Sequence, residues 1–348
     1  MTMAEEQNPA DIPYAGRVSI YDIARAAGVN PSTVSRALNN RDRVGEATRG
    51  RILAIAAELR YQPSAIARSL VTSRTNTIGV VAPYLSDPAI GREIDGIEIA
   101  AEKHGYRVFV STARNDPERE LLIATNFQRY RVDAVIIITT HLRSTYHVFK
   151  TTLSVPVVIM GQQDPDPDFT VVTMDDTAAI SDLTAHLIGL GHRRFAYVGV
   201  SDRRFSNKER RDACRDALRT FYPRETVHVE KRTEKTDLAR GAAALPAVRA
   251  SGATVVQCYN DMVALGLIGA AVKAGVRVPQ DLSVVGFDDL EIAAAVSPTL
   301  TTIRQPHREI GERSVETVMD LLAGRSVGTV LLAGDLVLRE SAAAPRAE

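Results

Sequence analysis

Residues 18–39 read Val18-Ser-Ile-Tyr-Asp-Ile-Ala-Arg-Ala-Ala-Gly-Val-Asn-Pro-Ser-Thr-Val-Ser-Arg-Ala-Leu-Asn39. Their first half carries apolar residues at helical spacing, namely Ile20, Ile23, Ala24 and Ala27. Gly28 is expected to end that helix. Asn30 is a favoured N-cap residue and Pro31 suits the first helical position, so a second helix begins within three residues. A helix, a tight turn with glycine and a second helix together predict a helix-turn-helix.

The second helix has an apolar and a polar face. Its inward stripe consists of Val34, Ala37 and Leu38. Its opposite face holds four hydrogen-bonding residues at positions i, i+3, i+4 and i+7, namely Ser32, Ser35, Arg36 and Asn39. A third helix, at about residues 46–60, adds an apolar stripe of Ile52, Ile55, Ala56 and Leu59. The three stripes predict a small helical domain.

The polar face of the second helix has two interpretations: it meets water in a plain helical bundle, or it contacts DNA. Residues 14–74 hold ten Arg and four acidic residues, whereas the whole chain has 42 basic and 42 acidic residues. This local charge of +6 favours a nucleic-acid partner. Arg36 adds a guanidinium group that can bind O6 and N7 of guanine in the major groove.

The string from Val18 to Asn39 closely resembles the lac repressor family of bacterial transcription regulators. The continuation Tyr61-Gln-Pro-Ser-Ala-Ile-Ala-Arg-Ser-Leu70 does so too, and the resemblance runs to about Glu340. It implies that the second helix contacts base edges through Pro31, Ser32 and Arg36, with Thr33 and Ser35 beside them. It implies phosphate and groove-edge contacts from Ile20, Tyr21, Asn39, Arg43 and Thr48. The implied partner is a double-stranded operator, pseudo-palindromic because a homodimer is expected.

Residues 64–70 follow Pro63, which ends the third helix, and can form only about two helical turns. Such a short helix is marginal in water by itself. It either packs on the rest of the protein as a linker or, as the resemblance implies, orders on the operator and pairs with its dimer mate. In the second case Leu70 inserts into the minor groove, with Ala67 as a further contact on the same helix.

From Asn76 the sequence alternates between strands and helices. The predicted strands lie at about 77–82, 106–111, 133–139, 157–160, 195–200, 227–230, 254–257 and 282–286. Residues 301–304 are interpreted as a crossover back toward the first series of strands. The predicted fold class is α plus α/β: an N-terminal helix-turn-helix domain with a hinge helix, then a two-lobed periplasmic-binding-protein-like body with parallel sheets.

The expected domains follow these changes of pattern. They are a polar N-terminal tail (1–17), the helix-turn-helix domain (18–63), the hinge helix and linker (64–75), an effector-binding and dimerisation body (76–340) and a C-terminal tail (341–348). Dimerisation is expected along the body, through the helix at 89–105 and its counterpart in the second lobe.

Four polar residues come directly after predicted strands of the body: Ser206, Arg210, Asn260 and Asp288. Ligands of parallel sheets bind beyond the carboxyl ends of the strands. Arg, Asn and Asp together donate to and accept from vicinal hydroxyls. The alternative is that these residues cap helices. The resemblance implies that all four contact a small effector, usually a sugar or another metabolite.

The first lobe supplies three further effector candidates, which are Tyr84, Ile90 and Gln162. Here the sequence departs from the family pattern, since Asp87-Pro-Ala-Ile90 stands where many relatives have aromatic residues. Gly161 and Gln162 stand where others have Asp or Trp. The chain has no Trp, so stacking on a sugar ring is left to Tyr84, Phe205 and Tyr259.

Other classes of protein have less support. The chain shows neither a Gly-x-Ser-x-Gly elbow nor a Walker phosphate loop, so no enzyme and no cofactor is expected. No metal is expected, because His141 and His147 lack a carboxylate at ligand spacing and the aspartates of 164–168 alternate with proline. Without a signal peptide or an 18-residue apolar run, no membrane partner is expected, and the location is the cytoplasm, with the nucleoid. The open alternatives are a solute-binding protein with the same body and a cytoplasmic sugar-modifying enzyme.

Overall fold

A computed structural model describes residues 18–38, 44–61, 74–138, 147–161, 169–200, 205–222, 228–231, 234 and 236–346. The chain divides into two compact units, Met1–Thr75 and Asn76–Glu348. The first unit contains helices and the second contains the parallel sheets. No helix in the described ranges has both the length and the apolar character needed to cross a membrane.

The first unit contains helices α1 (Ile20–Ala27), α2 (Pro31–Leu38) and α3 (Glu46–Glu58). The hydroxyl and the backbone N–H of Ser19 both donate to the Asp22 carboxylate, at 2.7 and 2.9 Å, which begins α1. Gly28 ends α1 in the left-handed region, with φ of 63°. Ile23, Val34 and Ile52 are fully buried where the three helices meet. The predicted helix-turn-helix is therefore present.

The second unit, the body, contains twelve strands and nine helices in its described residues. In chain order the strands are β1 (Thr77–Ala82), β2 (Arg107–Thr112), β3 (Ala134–Ile138), β4 (Val157–Met160), β5 (Thr170–Met174), β6 (Phe195–Gly199), β7 (His228–Lys231), β8 (Val255–Cys258), β9 (Ser283–Val285), β10 (Thr302–Arg304), β11 (Val330–Leu332) and β12 (Asp335–Val337). The helices are α4 (Pro88–Lys103), α5 (Pro117–Arg129), α6 (His147–Thr152), α7 (Asp176–Gly189), α8 (Phe205–Phe221), α9 (Asp237–Ala250), α10 (Asp261–Lys273), α11 (Glu291–Ala295) and α12 (His307–Leu322).

Two parallel sheets define the two lobes of the body. The first lobe has six strands in the order β11-β5-β4-β3-β1-β2, and the second has four in the order β7-β6-β8-β9. All pairings within these two sheets are parallel. Strands β1 and β3 are buried along their whole length, as expected where helices cover both faces of a sheet. The predicted two-lobed body with parallel sheets is confirmed.

The chain passes between the lobes at three places. It leaves β5 for α7 and β6, returns through β10 to α12 and β11, and leaves again through β12, which pairs antiparallel with β10. The prediction of a crossover at 301–304 matches the second passage. After the third, the Ser341 hydroxyl donates to the Val284 carbonyl at 2.6 Å and accepts the Thr301 N–H at 2.8 Å.

The contacts of residues 341–343 correct one expected domain boundary, the start of the C-terminal tail. The sequence predicts a C-terminal tail from residue 341, but Ser341 is completely buried, and the Ala343 carbonyl lies 2.9 Å from Nε2 of buried His192. These contacts attach the end of the chain to the second lobe, because they satisfy polar groups there that would otherwise be buried without partners.

Two helix pairs cross at glycines, one pair in each lobe. A Cβ atom added at Gly96 of α4 would lie 2.1 Å from the Arg308 carbonyl oxygen of α12. A Cβ atom added at Gly266 of α10 would lie 2.0 Å from the Leu238 carbonyl oxygen of α9. In both crossings the backbones touch, which only glycine permits.

Candidate functional site

Helix α2 presents the polar face that the sequence predicts. Ser32 and Arg36 are exposed on it, whereas Val34 and Ala37 are buried against α1 and α3. Pro31, Thr33 and Ser35 are half-buried along its edges. The exposed pair stands one helical turn apart, so both side chains can reach the same groove of a duplex.

The structure describes three of the other predicted DNA contacts and leaves four outside the described residues. Of the three, Tyr21 is 65% exposed, and Ile20 and Thr48 are half-buried. Four predicted contacts lie outside the described residues, namely Asn39, Arg43, Ala67 and Leu70. For these four, including the whole hinge helix, the sequence predictions stay predictions.

A cavity of about 90 Å³ lies between the two lobes of the body. It is lined by all the predicted effector residues that the structure describes, which are Tyr84, Ile90, Ser206, Arg210, Asn260 and Asp288. The remaining candidate, Gln162, is outside the described residues, although its neighbour Gly161 lines the cavity. Residues widely separated in the sequence meet here because parallel strands of both lobes end at this cleft.

Arg210 is more tightly held than its sequence position suggests. Its Nε donates to the Asp176 carboxylate at 2.7 Å, its Nη1 donates to the Tyr259 carbonyl at 2.8 Å, and its guanidinium carbon lies 3.4 Å from the centre of the Phe287 ring. Burial opposes the charge, but the Asp176 carboxylate outweighs it and raises the pKa of Arg210. At least two of the five guanidinium donors are therefore engaged within the protein.

Asn260 and Ser206 are also partly engaged. The Asn260 side-chain oxygen accepts the Val263 N–H at 3.0 Å and caps α10, while its amide nitrogen donates to Asp237 at 2.7 Å. The capping role left open by the sequence is thus present for Asn260. Ser206 Oγ lies 3.1 Å from the Tyr259 hydroxyl. Both side chains still line the cavity.

Asp288 differs from Asn260 because it caps no helix. Helix α11 begins after Leu290, and the loop before it is held by Asp261, which accepts the Leu290 N–H at 2.8 Å and the Thr302 hydroxyl at 2.6 Å. Asp288 itself has a φ of 109°, which is a strained backbone conformation. In this conformation Asp288 lines the cavity. Burial raises the pKa of Asp288 to about 8, against the opposing influence of His307 and Arg210.

Sequence reasoning missed three acidic or basic residues of the cavity, Asp87, Glu93 and His307. His307 Nδ1 lies 3.1 Å from Glu93 Oε1, and His307 Nε2 lies 3.8 Å from Asp288 Oδ1. Burial lowers the pKa of His307, but the hydrogen bond and charge of Glu93 prevail and raise it. One signal was available, because Glu93 interrupts the buried stripe of α4 between Ile90 and Ile97.

The side chains of this site are suited to hydrogen bonding. In the part of the chain that the structure describes, no three His, Cys, Asp or Glu side chains are arranged to hold a metal ion. The cavity combines carboxylate, amide, hydroxyl, imidazole and guanidinium groups. Such a set matches a small molecule rich in hydroxyl groups.

Comparisons with known proteins cover both units. Residues 19–64 match the profile described as bacterial regulatory proteins, lacI family, and residues 184–342 match the periplasmic binding protein-like domain. The HTH-type transcriptional repressor PurR of Aliivibrio fischeri is 32% identical over 87% of this chain and 91% of its own length.

Two solved structures extend the comparison. A lac repressor dimer bound to operator and the anti-inducer ONPF has a TM-score of 0.87 and 29% identity, covering 94% of this chain and all of that one. The transcriptional regulator CelR in complex with cellobiose has a TM-score of 0.68 and 26% identity, covering 93% of this chain and all of that one. The likeness thus includes the helical unit, both lobes and their order along the chain.

Proposed function

The chain belongs to the lacI family of bacterial regulatory proteins, which makes it a DNA-binding transcription regulator rather than an enzyme, and we propose that it is a repressor released from its operator by a small effector. The observation that carries this proposal is the cavity between the lobes, into which predicted effector residues of both lobes project. The likeness to a named repressor and to a sugar complex supports it.

Operator binding is assigned to the exposed polar face of α2. Ser32 and Arg36 contact base edges, Pro31, Thr33 and Ser35 flank them, and residues of α1 and α3 contact the backbone. The chain acts as a homodimer in the cytoplasm on a pseudo-palindromic operator, as a two-fold protein requires. The likeness to a repressor dimer on its operator supports this assembly.

Arg36→Ala is expected to weaken specific binding by about 1–3 kcal/mol and to relax the preference for one base pair in each half-site. The reason is that Arg36 is the exposed cation on the base-reading face of α2. The operator is obtained by selecting bound fragments from random duplex DNA with the wild-type chain, and both proteins are then titrated on it and on a scrambled duplex.

The control for this prediction is Arg25→Ala, which removes the same charge from an exposed side chain of α1. It should weaken binding to both duplexes by similar small factors, and both losses should shrink as salt is raised. An equal loss on operator and scrambled DNA for Arg36→Ala would make Arg36 a phosphate contact.

Effector release is assigned to the cavity. Tyr84 and Ile90 come from the first lobe and Ser206, Arg210, Asn260 and Asp288 from the second, with Gln162 as a further candidate. A ligand that bridges them favours one relative arrangement of the lobes. It can release DNA only if that arrangement disfavours operator binding.

Asp288→Asn is expected to leave a repressor that binds the operator but no longer responds to the effector. Asp288 projects into the cavity and caps no helix, so the substitution removes a ligand acceptor without removing a cap. The measurement is operator release, monitored by fluorescence anisotropy, against increasing amounts of a compound that releases the wild-type chain. Asp182→Asn, an exposed change on α7, is the control. Wild-type release by Asp288→Asn would exclude Asp288 from the site.

A further inference from the structure

The turn that follows β9 and precedes α11 carries two unusual backbone conformations. Asp288 and Asp289 are consecutive in it, with φ of 109° and 53°. Positive φ is uncommon for residues that carry a side chain, and it is kept where surrounding contacts hold it. Asp288 lines the cavity between the lobes, so the contacts that hold the turn also position a cavity residue.

The segments that pass between the lobes hold this turn on one side. The Asp288 N–H donates to the Ile303 carbonyl of β10 at 2.8 Å. The Asp289 carboxylate accepts hydrogen bonds from Arg304 of β10 at 2.8 Å and from Arg339, which follows β12, at 2.6 Å. The turn is therefore fixed to two of the three passages, and the direction of its backbone carbonyls is fixed with it.

The first lobe contacts the same turn through Arg92 of α4. Arg92 Nη1 donates to the Asp289 carbonyl at 3.0 Å, and its Nη2 lies 3.9 Å from the Glu291 carboxylate. The Glu291 side chain is 97% exposed, so that ion pair contributes little. His307 Nε2, also from the first lobe, lies 3.8 Å from Asp288 Oδ1. The bond from Arg92 to the backbone is thus the closest of these three contacts between the lobes.

We propose that this hydrogen bond, the Arg92–Asp289 contact, sets how readily the two lobes separate. Its donor belongs to one lobe and its acceptor is fixed on the other, so the bond breaks when the lobes move apart at this point. Because the donor is charged, losing the bond makes separation easier. Arg92 lies outside the described residues that line the cavity, so a change there acts on the lobes without removing a cavity contact. Only the link of this contact to operator binding rests on the proposed function.

The test measures separation of the lobes in the full-length chain through a buried thiol on either side of the cavity. Ala89→Cys places one on α4 of the first lobe, and Ser206→Cys places one on α8 of the second. The wild-type residues line the cavity and are only 7% and 5% exposed. A small thiol reagent labels such positions in proportion to the population in which they are open. Native Cys214 and Cys258, buried in the second lobe, report unfolding in the same sample.

Arg92→Ala should raise the labelling rate of both introduced thiols about 5- to 10-fold, the size expected for one partly exposed hydrogen bond from a charged donor. Labelling of Cys214 and Cys258 should stay unchanged, because the lobes separate without unfolding. An increase at Ala89→Cys alone would mean that the start of α4 frays, and unchanged rates at both probes would mean that the bond does not hold the lobes. Either result would overturn the proposal, and so would an equal increase at the native cysteines.

Two further variants assign the effect to this contact. Asp289→Ala frees the turn from its two arginine partners and should raise the labelling rates as well. Combined with Arg92→Ala it should add little, since both act on one contact, whereas full additivity would contradict that contact. The control is Arg308→Ala, in the same surface groove as Arg92. Arg308 pairs with Glu312 of its own helix at 3.0 Å, so its loss should leave the labelling rates unchanged.

Adding the operator separates this inference from the proposed function. The selected operator duplex should change the labelling rate of both introduced thiols by at least about 2-fold, because a ligand coupled to the lobes shifts their equilibrium. An unchanged rate would overturn the link between lobe separation and operator binding. Failure of the wild-type chain to bind any selected DNA would instead overturn the proposed function, and the labelling results without DNA would still decide whether the Arg92–Asp289 contact holds the lobes.

Discussion

Arg210→Ala is expected to lower the free energy of unfolding by about 3–5 kcal/mol, which is the usual cost of removing one partner of a buried ion pair. The substitution leaves the Asp176 carboxylate buried without its cation and the Tyr259 carbonyl without its donor. It also removes the guanidinium from the face of Phe287. The measurement is urea unfolding of the full-length chain, with the midpoint and slope compared between variants.

Two further variants make this result diagnostic. Arg210→Met combined with Asp176→Leu should recover most of the loss, because replacing both charges with apolar groups leaves no stranded carboxylate. Arg219→Ala, an exposed change on the same helix α8, should stay within about 0.5 kcal/mol of the wild type. A loss below about 1 kcal/mol for Arg210→Ala would mean that Asp176 finds solvent or another donor. Lost effector affinity in Arg210→Ala is thus weaker evidence for a ligand contact than the same loss in Asp288→Asn.

The sequence could not predict that Arg210 forms a buried ion pair with Asp176. Asp176 lies 34 positions earlier, at the start of α7, and only the passage of the chain from β5 into the second lobe brings the two together. The position of Arg210 after a strand was predictable, because the rule on strand ends in parallel sheets is local and general. Which of its five donors stay free for a ligand is decided by tertiary contacts.

The helix-turn-helix was the most predictable part of the molecule. Its signals are local: Gly28, Asn30 and Pro31, which end one helix and begin the next, lie within four residues. Strands β5, β11 and β12 were not predicted. Their places are fixed by pairing, β5 with β4, β11 with β5 and β12 with β10, rather than by a local pattern of the sequence.

The cavity was only half predictable for a related reason. Several of its second-lobe residues follow fully buried strands, which the sequence displays clearly as short apolar runs. Glu93 and His307 sit instead on α4 and at the start of α12, two helices more than 200 positions apart that cross in the first lobe. Their meeting depends on that crossing, which in turn depends on glycine at Gly96 and Gly311.

Gly266→Ala tests the same type of helix crossing in the second lobe. Helix α10 carries both this glycine and a second one, Gly269, that serves as the control. It is expected to lower the free energy of unfolding by about 3 kcal/mol, at the upper end of typical overpacking costs. The new Cβ atom would lie 2.0 Å from the Leu238 carbonyl oxygen, and a backbone oxygen cannot rotate away as a side chain can. Helices α9 and α10 must then separate.

The control is Gly269→Ala, one turn later on α10. A Cβ atom there has open space, so the substitution should raise the free energy of unfolding by roughly 0.5–1 kcal/mol through helix propensity alone. If the two substitutions change the free energy of unfolding in opposite directions, the loss at Gly266 comes from the helix contact and not from helix propensity. If both raise it, the helices do not touch at Gly266.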